Sequence, residues 1–202
     1  MMLSRRSWMK ALGAAAGPAL VAGGLKAAVQ CGAMLPPYGA QSCIAGIPEG
    51  RLDLVFAYQQ ASEWCWAACM QMVFTYWGHA VPQQEIVRQT WGSLANMPAQ
   101  PQQIVADLNR PWTDLWGNRF RVRADCFTAS GADAAQDLAR EMPLIIGSMG
   151  HAMVLSAVSY DRAPAGQGVV TGAIVRDPLR GKRPLSSMEA AATMLLARIR
   201  VI

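Results

Sequence analysis

One stretch of this 202-residue chain combines residue types that carry covalent chemistry: Tyr58-Gln59-Gln60-Ala61-Ser62-Glu63-Trp64-Cys65-Trp66-Ala67-Ala68-Cys69-Met70. Polar residues precede Cys65, and an apolar helical periodicity begins at it. A thiol at a helix amino terminus faces unpaired backbone N–H groups and the positive end of the helix dipole, and both favour the thiolate that attacks. The same N–H groups, with a side-chain amide beside them, hold an oxyanion developing on a carbonyl. Gln59 and Gln60, six and five residues upstream, are the candidate amides. A lone cysteine between Trp64 and Trp66 equally suits a buried core position. What separates the two readings is a base.

The chain has two histidines. His79 follows Cys65 by 14 residues on the same helical pattern, which at 1.5 Å per residue is about 20 Å, far outside hydrogen-bond reach. It reads as a helix-ending or surface residue. His151 stands in Met149-Gly150-His151-Ala152-Met153-Val154, at the mouth of an apolar strand. If the runs 152–159 and 169–175 pair as a hairpin with Tyr160 opposite Gly168, His151 faces Asp177, which then orients the imidazole and fixes its tautomer. In that register Asp161 lies at the distant turn. On its own, Arg176-Asp177-Pro178 is a strand ending in a turn.

The ordered set Gln59…Trp64-Cys65-Trp66-Ala67-Ala68, Gly150-His151-Ala152-Met153-Val154 and Arg176-Asp177-Pro178 resembles the bacterial papain-like cysteine peptidases, and among them the branch of plant-pathogen avirulence-effector proteases. The resemblance covers residues 52–180. It implies Cys65 as nucleophile, His151 as general base and acid, Asp177 as the orienting residue, and Gln59 as oxyanion donor with Gln60 as the alternative. It implies an α+β, papain-like fold: a helical left lobe with the Cys65 helix, an antiparallel β right lobe with His151 and Asp177, and a cleft between them. The activity implied is peptide-bond hydrolysis through a thioester acyl-enzyme, on a protein or peptide substrate and without a cofactor. A catalytically silent peptide-binding protein, or an acyl or amide transferase on the same fold, is the alternative. Trp64, Trp66 and Gly150 are candidate substrate contacts.

The elements that must position these residues follow from periodicity. Trp66, Cys69, Met70, Val73, Phe74 and Trp77 recur at helical spacing from Cys65, and Gly78 supplies a stop. Pro82–Thr90 and Pro101–Leu108 read as short helices with proline near each start. Leu52–Tyr58 alternates weakly as a strand, Phe120–Arg123 is a strand, and Ala132–Glu141 is a helix that Pro143 ends. Later come the apolar strands Leu144–Ile146, Ala152–Ser159 and Val169–Val175. Ser186, with Glu189 three residues on, is a capping-box signature for a final helix over Ser186–Ala197. Helices first and antiparallel strands later make an α+β layout.

Composition removes other classes. With 52% hydrophobic and 15% charged residues the chain is not intrinsically disordered, and no apolar run is long enough for a polytopic membrane protein. Of the 18 basic residues, Arg5, Arg6, Lys10 and Lys26 precede residue 29, where no acid occurs. The remainder is nearly balanced. Arg119, Arg121 and Arg123 form one solvated strand face, so no nucleic-acid partner is indicated. Ser4-Arg5-Arg6-Ser7-Trp8-Met9-Lys10 followed by an Ala/Gly-rich apolar stretch reads as a twin-arginine export signal over 1–28. The expected location is the periplasm or the medium, without stable membrane association once the signal is removed. Residues 29–50, dense in Pro and Gly, read as an extended leader or pro-segment that shields the cleft, and residues 51–202 as the peptidase domain. In an oxidising compartment Cys31 and Cys43 are able to close a small disulfide loop, with the pairing among Cys31, Cys43, Cys69 and Cys126 left open. Cys65 and Cys69 with His151 lack a fourth ligand and a zinc-type spacing, so no metal site is expected.

Overall fold

The computed structural model describes residues 29–34, 41–126, 131–162 and 168–202; the expected export signal lies outside them. The elements are β1 (Gln30–Cys31), β2 (Gln41–Gly46), α1 (Glu49–Asp53), α2 (Cys65–Tyr76), α3 (Gln83–Trp91), α4 (Pro101–Leu108), β3 (Pro111–Thr113), β4 (Arg119–Cys126), α5 (Gly131–Ala139), β5 (Leu144–Ser148), β6 (His151–Arg162), β7 (Gly168–Asp177), β8 (Gly181–Pro184), α6 (Ser187–Ala191) and β9 (Thr193–Val201). Helices cluster in the first half and antiparallel strands in the second, so the chain is α+β.

The strands follow the order β1-β2-β6-β5-β9-β4-β3, with β7 on the other side of β6 and β8 beyond β7. Alternate residues of β5 and β6 enter two separate cores. Ile145, Ala152 and Val154 join Trp66, Phe74 and Trp112 in one. Leu144, Ile146, Met153 and Leu155 join Tyr76 and Leu138 of α5 in the other. A strand covered on both faces reads as an unbroken apolar run, which is why these segments show little alternation in sequence. Of the 12 residues of α2, 10 are buried. This helix is therefore enclosed nearly all round rather than laid on the sheet by one face, and it holds Cys65 on a rigid support.

Four expectations differ from what is found. Leu52–Tyr58 is not a strand: Leu52 lies in α1, buried, and a turn and an irregular segment follow. The capping box at Ser186 is present, but its helix stops at Ala191. Thr193–Val201 pairs instead with both β5 and β4, and Leu195, Ala197 and Ile199 alternate into the core. Two ladders and a buried face outweigh the local helix signal of five residues. In the β6–β7 hairpin Tyr160 lies opposite Val170, not Gly168, and irregularities occur at Leu155/Ala157 and Ser159/Tyr160. Finally, the leader expected over 29–50 is part of the sheet from Gln41 onward. β2 pairs with β6 from Arg162 to Ala157, Cys43 and Ala45 are buried, and a disulfide joins Cys31 to Cys43. A β-carbon at Gly46 would sit 2.9 Å from that of Ala157, so this close pairing requires glycine. β2 thus lies along the end of β6 remote from His151, and it does not cover the cleft.

Candidate active site

Cys65 opens α2. Its N-cap, Trp64, offers no side-chain acceptor, so the first-turn N–H groups are left to another acceptor. The loop leading in is held by Gln83, which is fully buried. Gln83 Nε2 donates to Tyr58 O (2.8 Å) and Gln71 Oε1 (2.9 Å), and its Oε1 accepts from Gln60 N (3.0 Å). The Gln59 N–H donates to Pro178 O at 3.0 Å, stitching this loop to the turn after Asp177. Cys65 is 7% exposed, and its Sγ accepts from the Ala152 N–H at 3.4 Å.

His151 is aimed by a two-residue turn. Met149 and Gly150 have φ of 51° and 76°, the left-handed pair that a tight hairpin needs; glycine takes this without strain, whereas Met149 does not. The turn returns the chain so that His151 pairs with Ser148. His151 Nε2 donates to Asp177 Oδ1 at 2.7 Å, leaving Nδ1 as the other ring nitrogen. Its pKa is raised from 6.5 to about 9. The hydrogen bond with Cys65 is the largest cause, burial opposes it, and the Asp177 hydrogen bond adds to the rise. The ring therefore favours the imidazolium at neutral pH, the counter-charge a thiolate requires.

Asp177 is 1% exposed. Its Oδ1 also accepts from Leu179 N (2.8 Å), and its Oδ2 from Arg183 Nε (2.8 Å). Burial pushes its pKa up, but the hydrogen bonds from His151, Leu179 and Arg183 outweigh that and hold it below the usual carboxylate range. The carboxylate meets His151 diagonally rather than from the directly opposing position, because the register closes Val154 against Arg176.

The other expected site residues are placed less directly. Both hydrogens of the Gln59 amide are committed to its own loop, at Ala61 O (3.0 Å) and Ser62 O (2.8 Å), and its Oε1 is buried without a partner. Gln60 turns toward α3, accepting from Gln84 Nε2 at 2.5 Å. A cavity of about 300 Å³ opens beside Cys65 and His151, walled by Trp66, Pro98, Pro101, Ile104, Ala152 and Leu195, with Gly150 and Met194 also lining it. Trp66 and Gly150 thus border the cleft, whereas Trp64 does not line this cavity. The indole N–H groups of Trp64 and Trp66 donate to Ala95 O (2.9 Å) and Met97 O (3.1 Å). They tie down the loop that leads to Pro98, and so set the far wall. His79 lies just beyond α2 on a structural contact, with Nδ1 3.1 Å from Asp114 Oδ2 and its ring stacked on Phe120.

Cys65, Cys69 and Cys126 are free thiols. Burial, then the charges of Cys65 and Asp177, push the Cys69 thiol well above its ordinary range. Among the described residues no group of three or more His, Cys, Asp or Glu is arranged to hold a metal ion, and no helix is long and apolar enough to cross a membrane. Sequence reasoning missed Arg183, Glu189 and the cavity wall at 98–104. No spacing pattern marks Arg183, and Glu189 stands out only as a helix cap.

A family model described as "Peptidase_C39 like family" matches residues 51–193. No curated protein matches the chain. Among solved structures, the chain is similar to a double glycine motif protease from an AMS/PCAT transporter, in complex with the leader peptide. The identity is 19% and the TM-score 0.44, over 71% of this chain and 87% of that one. It is also similar to UfSP from C. elegans, at 15% identity and a TM-score of 0.43, covering 80% of this chain and 32% of that one.

Proposed function

The chain belongs to the peptidase C39-like family, and from that premise we propose that it is an exported thiol peptidase using Cys65, His151 and Asp177. One observation carries the reading: His151 bonds Asp177 at 2.7 Å while the adjacent Ala152 N–H bonds the Cys65 sulfur at 3.4 Å. Ala152 directly follows His151 on β6, which supports a pairing of imidazole with sulfur.

In this scheme Cys65 Sγ attacks a peptide carbonyl carbon and a C–S bond forms. The oxyanion is held by the uncapped first turn of α2, with Gln59 as the side-chain donor once its amide gives up a loop carbonyl. His151 transfers its proton to the leaving amine as the C–N bond breaks, leaving a thioester acyl-enzyme. Water then attacks the thioester; His151 takes its proton, the C–S bond breaks and the thiolate returns. The substrate is a protein or peptide whose apolar side chain occupies the cavity bordered by Trp66, Gly150, Ile104 and Leu195. The Trp64–Ala68 block is the part of the chain that supports kinship with the avirulence-effector branch. The Arg5-Arg6 signal and the Cys31–Cys43 disulfide support an oxidising destination, periplasm or medium.

The test is to treat the folded protein with a thiol-directed peptidase inactivator, map the modified residue, and compare proteolysis by wild type and Cys65→Ser. Modification at Cys65 with new carboxyl termini released by wild type alone is the expected result. Incorporation of added amine in place of hydrolysis would make it a transferase, and cleavage that survives Cys65→Ser would overturn the assignment.

A further inference from the structure

The bonding chain behind His151 does not stop at Asp177. Arg183 Nε donates to Asp177 Oδ2 at 2.8 Å, and its two terminal nitrogens donate to the two oxygens of Glu189 at 2.9 and 2.6 Å. The Glu189 carboxylate also accepts from Ser186 N and Oγ, which fixes it at the start of α6. The Glu189 carbonyl accepts from Ser148 Oγ at 2.6 Å, and Ser148 is the hairpin partner of His151. The bonds close a ring: His151, Asp177, Arg183, Glu189, Ser148 and back to His151.

We propose that Arg183, anchored by Glu189, is a positioning residue that locks the Asp177 carboxylate in the plane His151 requires. This rests on the thiol-peptidase reading above. Oδ1 alone is held by His151 and Leu179, so a carboxylate fixed only there remains free to turn about its own bond. Occupying Oδ2 removes that freedom. Arginine is the residue suited to the task, because its planar fork serves one carboxylate through Nε and a second through both terminal nitrogens, which a point-charge lysine cannot do. Arg183 is 18% exposed, its Nη2 also lies 3.1 Å from Met153 Sδ and its Nη1 donates to Pro184 O at 3.1 Å, so water offers little substitute. The titratable groups around the pair are His151 and Arg183 facing Asp177, Glu189 facing Arg183, and the Cys65 and Cys69 thiols beyond His151 and Asp177. Arg176, next to Asp177, is paired elsewhere, with Asp53.

The experiment uses the full chain bearing Arg183→Gln. Two readouts are followed: kcat and KM for a cleaved peptide, and the titration midpoint of His151 by NMR, which needs no turnover. Loss of one charge-assisted hydrogen bond lowers kcat by about tenfold with KM within about twofold, because Arg183 does not line the cavity. The His151 midpoint falls as Asp177 turns away. Arg183→Lys keeps the charge but not the fork, so it stays below half of wild-type kcat. A midpoint that is unchanged or rises, as simple removal of a nearby cation would produce, overturns the proposal. Should Arg183→Gln fail to fold, Glu189→Gln carries the test: kcat falls about threefold with a lower His151 midpoint, and wild-type values in both refute it. A wild type that cleaves nothing defeats the peptidase reading, while the titration still decides the positioning role.

Discussion

Replacing Cys65 by serine should do more than stop chemistry; it should change the proton affinity of a residue on another element. The His151 pKa is raised from 6.5 to about 9, with the Cys65 hydrogen bond as the first cause. That difference is equivalent to roughly 3 kcal/mol of preference for the imidazolium. In Cys65→Ser the larger part of it disappears, and the midpoint drops toward 6.5 because burial still opposes the charge. The chain has only two histidines, so proton NMR of the imidazole C–H resonances resolves the titration without ambiguity once His79 is assigned by substitution. The stability consequence has a definite sign. A pKa raised on folding stabilises fully below about 6.5, and that stabilisation is lost as pH rises through about 9. Wild type should therefore lose unfolding free energy across that window, and Cys65→Ser less of it. A wild-type midpoint at or below 6.5, or the same midpoint in both proteins, refutes the electrostatic pairing of sulfur and imidazole.

Three further outcomes are expected. Gln59→Ala should lower kcat by about a hundredfold with little change in KM if its amide serves the oxyanion; a change confined to thermal stability would assign it to bracing the Ala61–Ser62 loop. Ile104→Trp, filling the cavity beside Cys65, should raise KM by about tenfold for substrates presenting a bulky apolar residue and spare those presenting alanine, as steady-state kinetics on paired peptides will show. Serine at both Cys31 and Cys43 should cost about 2–3 kcal/mol in denaturant unfolding and leave turnover at 25 °C unchanged, because that bridge sits at the other end of β6 from His151.

The start of the Cys65 helix was legible because hydrophobic periodicity switches on abruptly at that residue, and the antiparallel right half because glycine and proline punctuate its apolar runs. A regular hairpin register sets Asp177 opposite His151. The real ladder carries two irregularities, and the aspartate reaches His151 only because a side chain spans the diagonal. β9 was hidden by a genuine local signal: the capping box forms, yet the alternation of Leu195, Ala197 and Ile199 belongs to a strand whose partners lie far away in sequence. Strand β2, with only the two-residue β1 outside it, was obscured by the prolines and glycines that flank it in sequence. Spacing placed Trp64 and Trp66 beside the thiol but gave no direction for their indoles, and both point their N–H groups at a distant loop. Nothing in a linear pattern marks Arg183, whose importance comes from a fork that joins two carboxylates in space.

The position of β9 has a consequence for how this protein comes into being. The strand sits between β5 and β4 and contributes Leu195 and Met194 to the cavity beside Cys65. A nascent chain halted on the ribosome before Thr193 therefore has two half-sheets with bare edges, which invite pairing between molecules, and a cleft that lacks one side. Proteolytic trimming of the same nine residues would have the same effect. Competence and solubility thus depend on the same nine residues, and no chain lacking them should show either one.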